Sequence, residues 1–132
     1  MTCLDIDDIK GFMPHREPML LIEKSFIDDA GYAHSEYRIK EDEFFTRGHF
    51  PGNPVVPGVI QCEIMAQSCA VLVKDEIPGH ITLYAGLNNV KFKNMVKPGV
   101  LRANSCAAFV RSLSGASSPN WSLISPRITA LK

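Results

Sequence analysis

The chain has 132 residues, of which 45% are hydrophobic and 21% are charged, and its formal net charge is zero. This length suits one domain with a modest core and leaves no room for separate cofactor and substrate domains. No run of eighteen apolar residues occurs, and the acidic N-terminus lacks the apolar core of a signal peptide. We therefore expect a cytoplasmic protein that does not span a membrane.

Charge is unevenly distributed along the chain. All fourteen Asp and Glu residues lie at or before Glu76, together with seven Lys and Arg residues, whereas residues 77–132 contain seven Lys and Arg and no acid. Such a basic half attracts nucleic acid or an acidic protein partner, or its charge merely balances the acidic half across the folded surface. The charge alone does not choose between these interpretations.

In chain order, the first forty residues predict one short helix and two strands. Apolar side chains at helical spacing from Ile6 to Phe12 predict the helix, and the two prolines within residues 14–18 end it. The apolar stretch at residues 19–27 predicts a strand, and residues 32–39 predict a second strand after an Asp-Asp-Ala-Gly turn.

A rigid loop and a buried helix follow. Residues 48–58 hold three Gly and three Pro, which exclude both helix and regular strand and predict a loop of fixed shape. Residues 59–76 predict a helix that ends before Pro78. Because eleven of the fifteen residues at 59–73 are apolar, we expect this helix to be buried on nearly all sides.

The remaining residues predict two strands and an irregular tail. Residues 81–87 and 90–96 predict the strands, whereas residues 101–132 are rich in serine, lack acids and predict no regular strand. We assign residues 1–100 to one domain and regard residues 101–132 as a tail that belongs to the same domain or is poorly ordered. The four cysteines form no C-x-x-C pair, so neither a zinc ribbon nor a redox motif is expected.

Glu63 is the candidate general acid. It is the only ionisable residue at positions 59–73, and burial without a compensating charge is expected to raise its pKa. A carboxyl that stays protonated near neutral pH can act as a general acid. Gln67, one turn later, can hydrogen-bond to it and fix its orientation. Alternatively, this face of the helix reaches solvent, or Glu63 forms an ion pair with Arg16 or Arg47.

His49 is the candidate general base, because a neutral imidazole in the rigid loop accepts a proton near pH 7. Alternatively, it is a surface or packing residue. The loop leads into the N-terminus of the predicted helix, where free backbone N–H groups favour negative charge developing on an oxyanion. A base, a protonated acid and an oxyanion site together suit removal of a proton alpha to a carbonyl, with loss of a beta-hydroxyl as water.

These residues form a motif. Residues 48–59 read Gly-His-Phe-Pro-Gly-Asn-Pro-Val-Val-Pro-Gly-Val, and residues 63–67 read Glu-Ile-Met-Ala-Gln. The motif closely resembles that of the (3R)-hydroxyacyl-[acyl-carrier-protein] dehydratases of type II fatty-acid synthesis. Residues 13–22 resemble the N-terminal segment of that family, and residues 90–99 resemble a later strand and turn. The glutamate at position 63 on the predicted helix resembles the residue of this dehydratase branch, whereas the related dehydratase/isomerase branch usually carries aspartate at that position.

The resemblance implies an α+β hot-dog fold, in which a curved antiparallel sheet wraps one long buried helix, and a homodimer or a trimer of dimers. It implies dehydration of a 3-hydroxyacyl chain on acyl carrier protein without metal or organic cofactor, and no nucleic-acid or membrane partner. His49 of one subunit and Glu63 of the partner subunit would form each site. The residues expected to contact the substrate are Phe50, Pro57, Gly58, Val59 and Gln67. The backbone N–H groups of Gly58 and Val59 would polarise the thioester carbonyl.

The chain departs from the family pattern at its end. Val100 stands where the family usually has an acid, and residues 101–132 do not resemble the two long strands that complete the family's sheet. This departure leaves open whether the last strands of the sheet are present or missing. It also keeps two other functions open: a catalytically impaired acyl-binding or interaction protein, and a hot-dog acyl thioesterase.

Two further sets of residues have alternative interpretations. His15 and Arg16 are either catalytic or part of a turn that polar contacts hold before the first long strand. Three lysines at positions 91, 93 and 97 either meet the acidic carrier protein or merely solvate a strand.

Overall fold

The computed structural model describes residues 3–83, 87, 90–105 and 127–128. In chain order its elements are β1 (Cys3–Leu4), α1 (Ile6–Phe12), β2 (Lys24–Ile27), β3 (Ala33–Ile39), α2 (Gly58–Ala70), a 3-10 turn (Val71–Val73), β4 (Gly99–Ser105) and β5 (Arg127–Ile128). Helices pack on an antiparallel sheet, so the expected α+β class is confirmed.

The sheet contains the five strands in chain order, each antiparallel to the next. Strand β3 occupies the centre, with Ser35 opposite Ser25 of β2 and Tyr37 opposite Leu101 of β4. The hairpin between β2 and β3 turns on Asp28, whose carboxylate accepts the backbone N–H groups of Ala30 and Tyr32 at 3.0 and 2.9 Å. The predicted second strand and its turn are confirmed.

One face of β3 carries the core. Its residues alternate between buried and less buried positions, as a strand with one covered face requires, and the covered residues are Ala33, Ser35, Tyr37 and Ile39. Helix α2 packs on this sheet. A line of buried hydroxyls joins the two, because Ser68 of α2 donates to Ser35 at 2.8 Å and Ser35 lies 2.9 Å from Ser25.

The short helix α1 is confirmed, and a local motif fixes its start. The Asp5 carboxylate accepts the N–H groups of Asp7 and Asp8 at 2.9 and 3.0 Å, and the Asp8 carboxylate accepts the Asp5 N–H at 3.1 Å. This reciprocal capping box satisfies N–H groups that a helix start otherwise leaves free. At the buried centre of α1, Ile9 joins the core.

Helix α2 is less completely covered than its sequence predicts. Its buried residues include Cys62, Ile64, Met65 and Cys69. Along the other side runs a stripe at helical spacing that is only partly covered, formed by Val59, Glu63, Ala66 and Ala70, and Val59 is 72% exposed. The helix ends at Ala70 and a 3-10 turn continues it to Val73, short of the predicted end at residue 76.

The strand predicted at residues 19–27 is wrong for its first half. Residues 20–22 are buried but lie outside the strand, which begins only at Lys24. The backbone N–H of Leu21 donates to a side chain of α2, the Gln67 Oε1 atom, at 2.8 Å instead of to a neighbouring strand. An apolar run thus predicted burial correctly but not the direction of its backbone hydrogen bonds.

The strands predicted at residues 81–87 and 90–96 are also wrong where the structure describes them; residues 84–86 and 88–89 lie outside the described part. Many of their apolar side chains are exposed, including Ile81, Leu83 and Met95, whereas Val96 is buried and joins the core. Beside Val96, the Val56 N–H donates to Val96 O at 2.8 Å and so ties this segment to the preceding loop.

The prediction of no regular strand after residue 101 is wrong as well. Strand β4 continues to Ser105, and β5 pairs with it through Ala103 and Ile128. The reason is that β3 offers a seven-residue edge for pairing, and backbone pairing does not require an alternating sequence. The rest of the tail, residues 106–126 and 129–132, lies outside the described residues, so the boundary at residue 100 stays a prediction. No helix in the described ranges is both long and apolar enough to cross a bilayer.

Candidate active site

The backbone of its loop holds the His49 ring in one orientation. Thr46 O accepts the His49 N–H at 3.1 Å, and His49 O accepts the Val55 N–H at 2.7 Å. The ring Nδ1 atom lies 2.9 Å from Val55 O. A carbonyl only accepts, so Nδ1 must carry the hydrogen, and in the neutral ring Nε2 keeps its lone pair. The loop therefore presents His49 as a base through Nε2.

The same loop is rigid, as the sequence predicts. Phe50 and Asn53 exchange two backbone hydrogen bonds of 3.2 and 2.9 Å, which close the turn. The Phe50 ring stacks on the His49 ring with centroids 4.3 Å apart and is itself largely exposed. Upstream, the buried Thr46 hydroxyl donates to Glu41 O and Glu43 O at 2.9 and 3.0 Å. His49 thus has little freedom to leave its position.

The predicted contact between Glu63 and Gln67 is confirmed. Gln67 is 2% exposed, and its Nε2 donates to Glu63 Oε1 at 2.8 Å and to Met19 O at 2.7 Å. The Gln67 Oε1 atom accepts the Leu21 N–H, so the amide cannot be flipped without loss of these bonds. Gln67 therefore anchors the carboxyl group of Glu63 to the segment that precedes β2.

Glu63 forms neither of the ion pairs that the sequence suggests. The Arg16 guanidinium donates instead to Lys10 O at 3.1 Å, to Met13 O at 2.7 Å and to His15 O at 2.6 Å, which confirms a turn held by polar contacts. Arg47 is exposed and has no carboxylate partner among the described residues.

The neighbour of Glu63 is His15, whose Nε2 lies 3.5 Å from Glu63 Oε1. Sequence analysis missed this contact, because 48 residues separate the two side chains. Of the Glu63 side chain, 23% is exposed, so it is not the fully buried group that the sequence predicts. Its predicted protonation near neutral pH stays a prediction.

The start of α2 leaves two backbone donors free. Pro57 is the N-cap residue, and its carbonyl accepts the N–H groups of Ile60 and Gln61 at 3.0 and 3.2 Å. Within the described ranges, no group accepts the N–H of Gly58 or Val59. Free N–H groups at a helix N-terminus attract negative charge.

A ring covers this helix start. A Cβ atom added to Gly58 would lie 2.7 Å from the Phe92 ring, so a larger residue fits here only if the ring moves. Sequence analysis missed the packing of Phe92 here, because it placed Phe92 on a strand.

Within one protomer the two candidate catalytic groups are held apart from each other. In the described part of the chain no hydrogen bond or ion pair joins His49 to Glu63: the first contacts Val55 and Phe50, the second Gln67 and His15. No three His, Cys, Asp or Glu side chains there lie close enough together to hold a metal ion.

Comparison with known proteins decides the family. The model of the ApeI-like family, described as ApeI dehydratase, matches residues 26–105. The 3-hydroxyacyl-[acyl-carrier-protein] dehydratase FabZ of Clostridium botulinum (strain Loch Maree / Type A3) is 39% identical over 116 residues, which cover 85% of this chain and 81% of the relative. The chain belongs to this dehydratase family. FabZ of Fusobacterium nucleatum is 42% identical over 98 residues, 73% of this chain and 70% of the relative.

The FabZ of Halalkalibacterium halodurans is likewise 42% identical over 99 residues, covering 73% of this chain and 71% of the relative. Membership confirms the predicted resemblance and the hot-dog fold, in which α2 is the central helix. The match to residues 26–105 includes the His49 loop, α2 and all of β4. The family match therefore reaches Ser105, and the expected domain boundary at residue 100 stays a prediction.

Proposed function

We propose that this protein converts (3R)-3-hydroxyacyl-[acyl-carrier-protein] to the trans-2-enoyl product in fatty-acid biosynthesis, in the cytoplasm and without metal or organic cofactor. The observation that carries the proposal is the His49–Val55 bond, which leaves Nε2 as a base, together with a carboxyl group at Glu63. Family membership and the printed names of the relatives support the substrate class.

The reaction begins at C2 of the acyl chain. His49 Nε2 takes the C2 proton, and the electron pair of the broken C–H bond moves toward the thioester carbonyl. The free N–H groups of Gly58 and Val59 stabilise the negative charge that gathers on the carbonyl oxygen. Pro57 directly precedes these donors, and the exposed Phe50 ring stacks on His49, so we assign both to the substrate-binding surface.

Glu63 completes the reaction at C3. Its proton passes to the hydroxyl group as the C3–O bond breaks, and the electron pair from C2 forms the double bond. Water leaves, while His49 holds one proton and Glu63 has lost one, so a proton transfer resets the site. Gln67 keeps the Glu63 carboxyl aimed during this step.

We propose that each site draws on two copies of the chain, in a homodimer or a trimer of dimers. The partly covered stripe of α2 includes Glu63 and the exposed Val59, and Phe92, which packs on the start of α2, is also exposed in the protomer. A second copy that covers this surface would bury it and bring a second His49 loop to Glu63.

We propose that the acidic carrier protein docks on the basic surface formed by Lys91, Lys93 and Lys97, all of which are exposed. This surface flanks Phe92, which lies over the helix start that would hold the thioester. Opposite charge would speed the encounter.

One assay tests the proposed reaction. The purified protein is incubated with a 3-hydroxyacyl thioester of acyl carrier protein, and the products are separated by mass. Enoyl product supports the proposal. Free thiol would instead identify a thioesterase, and unchanged thioester would identify an acyl-binding or interaction protein. The His49→Ala variant is the control for trace contaminants.

A further inference from the structure

The turn that carries His15 is clamped in place. The Arg16 guanidinium donates to the carbonyls of Lys10 and Met13 and so ties the turn to the end of α1. The Arg16 carbonyl accepts the backbone N–H groups of Met19 and Leu20 at 2.9 and 3.0 Å. Because the backbone on both sides of His15 is fixed, its ring has a defined position beside α2. The ring is not a freely moving surface group.

The neighbouring amide settles which oxygen of Glu63 can carry a proton. Both hydrogens of Gln67 Nε2 are used, one on Met19 O and one on Glu63 Oε1. Glu63 Oε1 must therefore act as an acceptor in this arrangement. A proton on the Glu63 carboxyl belongs on Oε2.

The His15 ring lies close to the same oxygen. Its Nε2 lies 3.5 Å from Glu63 Oε1, slightly longer than a full hydrogen bond, and such contacts tighten when substrate binds. The other ring nitrogen, Nδ1, is buried and has no partner among the described residues. A buried N–H without an acceptor is costly, so the ring hydrogen is favoured on Nε2 rather than on Nδ1.

We infer that His15 is a positioning residue for Glu63. Together with Gln67 it occupies Oε1, which leaves Oε2 as the only oxygen that carries the transferable proton and turns it toward the substrate. This inference rests on the proposed dehydration, because it assigns a role within that reaction. With its hydrogen on Nε2, His15 orients the carboxyl group through that side of the ring.

Three substitutions test the role. His15→Leu removes the donor at similar size, His15→Asn keeps a polar group that is too short to reach Glu63, and His15→Gln places an N–H near the original Nε2 position. We expect the Leu and Asn variants to lose about tenfold in kcat, less than the roughly 10²-fold expected when the acid itself is removed, with KM within twofold. The Gln variant should stay within threefold of the unmodified protein in kcat.

The controls separate a positioning role from a structural one. His80→Leu, at an exposed histidine, should leave kcat unchanged. In the Glu63→Gln background, His15→Leu should change the residual kcat by less than twofold, because the residue it positions is gone. If His15→Leu does not fold, the contrast between the Asn and Gln variants still decides.

Equal kcat in the Asn and Gln variants would overturn the inference, as would a full tenfold loss from His15→Leu in the Glu63→Gln background. Either result leaves the proposed dehydration intact. Failure of the unmodified protein to form enoyl product would overturn both proposals together.

Discussion

The two candidate catalytic groups are held in place in opposite ways. His49 is fixed by its own loop, since its ring bonds to Val55 O only six residues away. Glu63 is fixed by distant chain, since Gln67 ties it to Met19 and Leu21, more than forty residues earlier. The base is thus positioned by local structure and the acid by tertiary structure, and substitutions should separate the two.

The largest effect should come from the two groups themselves. His49→Ala and Glu63→Gln should each lower kcat by about 10²-fold or more, the usual scale for loss of a general base or acid. Glu63→Gln is nearly isosteric and should fold normally. Steady-state kinetics on the carrier-protein thioester provide the measurement, and near-normal turnover in either variant would contradict the assigned role.

Mixtures of these variants test whether the site is shared. His49→Ala and Glu63→Gln proteins, each inactive alone, should regain part of the activity when refolded together, because a mixed dimer contains one intact site. Native mass spectrometry confirms that hybrids form. Inactive hybrids would argue for a site within one protomer.

The next effect concerns the long-range anchor. Gln67→Leu removes three hydrogen bonds and leaves the Leu21 N–H and the Met19 carbonyl without partners, so the free energy of unfolding should fall by about 2–5 kcal/mol. The matched control is Gln61→Leu on the same helix. Gln61 is also buried, but its side chain donates one hydrogen bond, to Val56 O, among the described residues, so Gln61→Leu should cost about 1 kcal/mol. Denaturant unfolding measures the free energy of unfolding of both variants. Equal decreases would show that the Gln67 hydrogen bonds stabilise the fold no more than the single bond of Gln61 does.

A smaller effect is expected at the start of α2. Gly58→Ala places a Cβ 2.7 Å from the Phe92 ring, which is half exposed and can move aside. We expect a loss of about 1 kcal/mol in stability, within the range for overpacking. Adding Phe92→Ala should restore most of it if the clash is the cause. Thermal unfolding of the single and double variants measures this coupling, and purely additive losses would rule out the contact.

The smallest effect tests a local contact far from the site. A hydrogen bond between Asp28 and His34, 2.7 Å long, is the main cause that lowers the pKa of Asp28, and the hydrogen bond from the Tyr32 N–H is a smaller one. Because the folded pKa lies below the unfolded one, this stabilisation is fully present above about pH 4 and is lost as pH falls through the folded pKa. Asp28→Asn should therefore flatten the acid side of a plot of melting temperature against pH. An unchanged plot would show that the pair contributes nothing.

Local patterns made much of this molecule predictable. Helix α1, strand β3, the rigid loop and the Glu63–Gln67 bond all follow from spacings of a few residues, and each is confirmed. The motif also identified the family. What the sequence could not show depends on distant partners: the backbone of Leu21 bonds to Gln67, and β4 forms because β3 offers it an edge.

His15 illustrates the same limit. A proline on each side, Pro14 and Pro18, indicated a fixed turn, but nothing in the local pattern shows which helix that turn meets. The contact with Glu63 arises only once the turn after α1 has packed beside α2. Tertiary structure therefore adds to the site a residue that local sequence analysis left between two interpretations.

The hydrogen bonds of the buried serines between α2 and the sheet all run in one donor-to-acceptor direction. Ser25 donates its only hydroxyl hydrogen to His34 O, so in its contact with Ser35 it must be the acceptor. Ser35 in turn accepts the hydroxyl hydrogen of Ser68. The chain of hydrogens runs one way, from α2 into β3 and β2. A rotation of α2 about its axis would break this relay at its first link. The hydrogen bonds to the sheet thereby fix the rotation of α2 about its own axis. They also fix the direction in which Glu63, five residues before Ser68, leaves the helix.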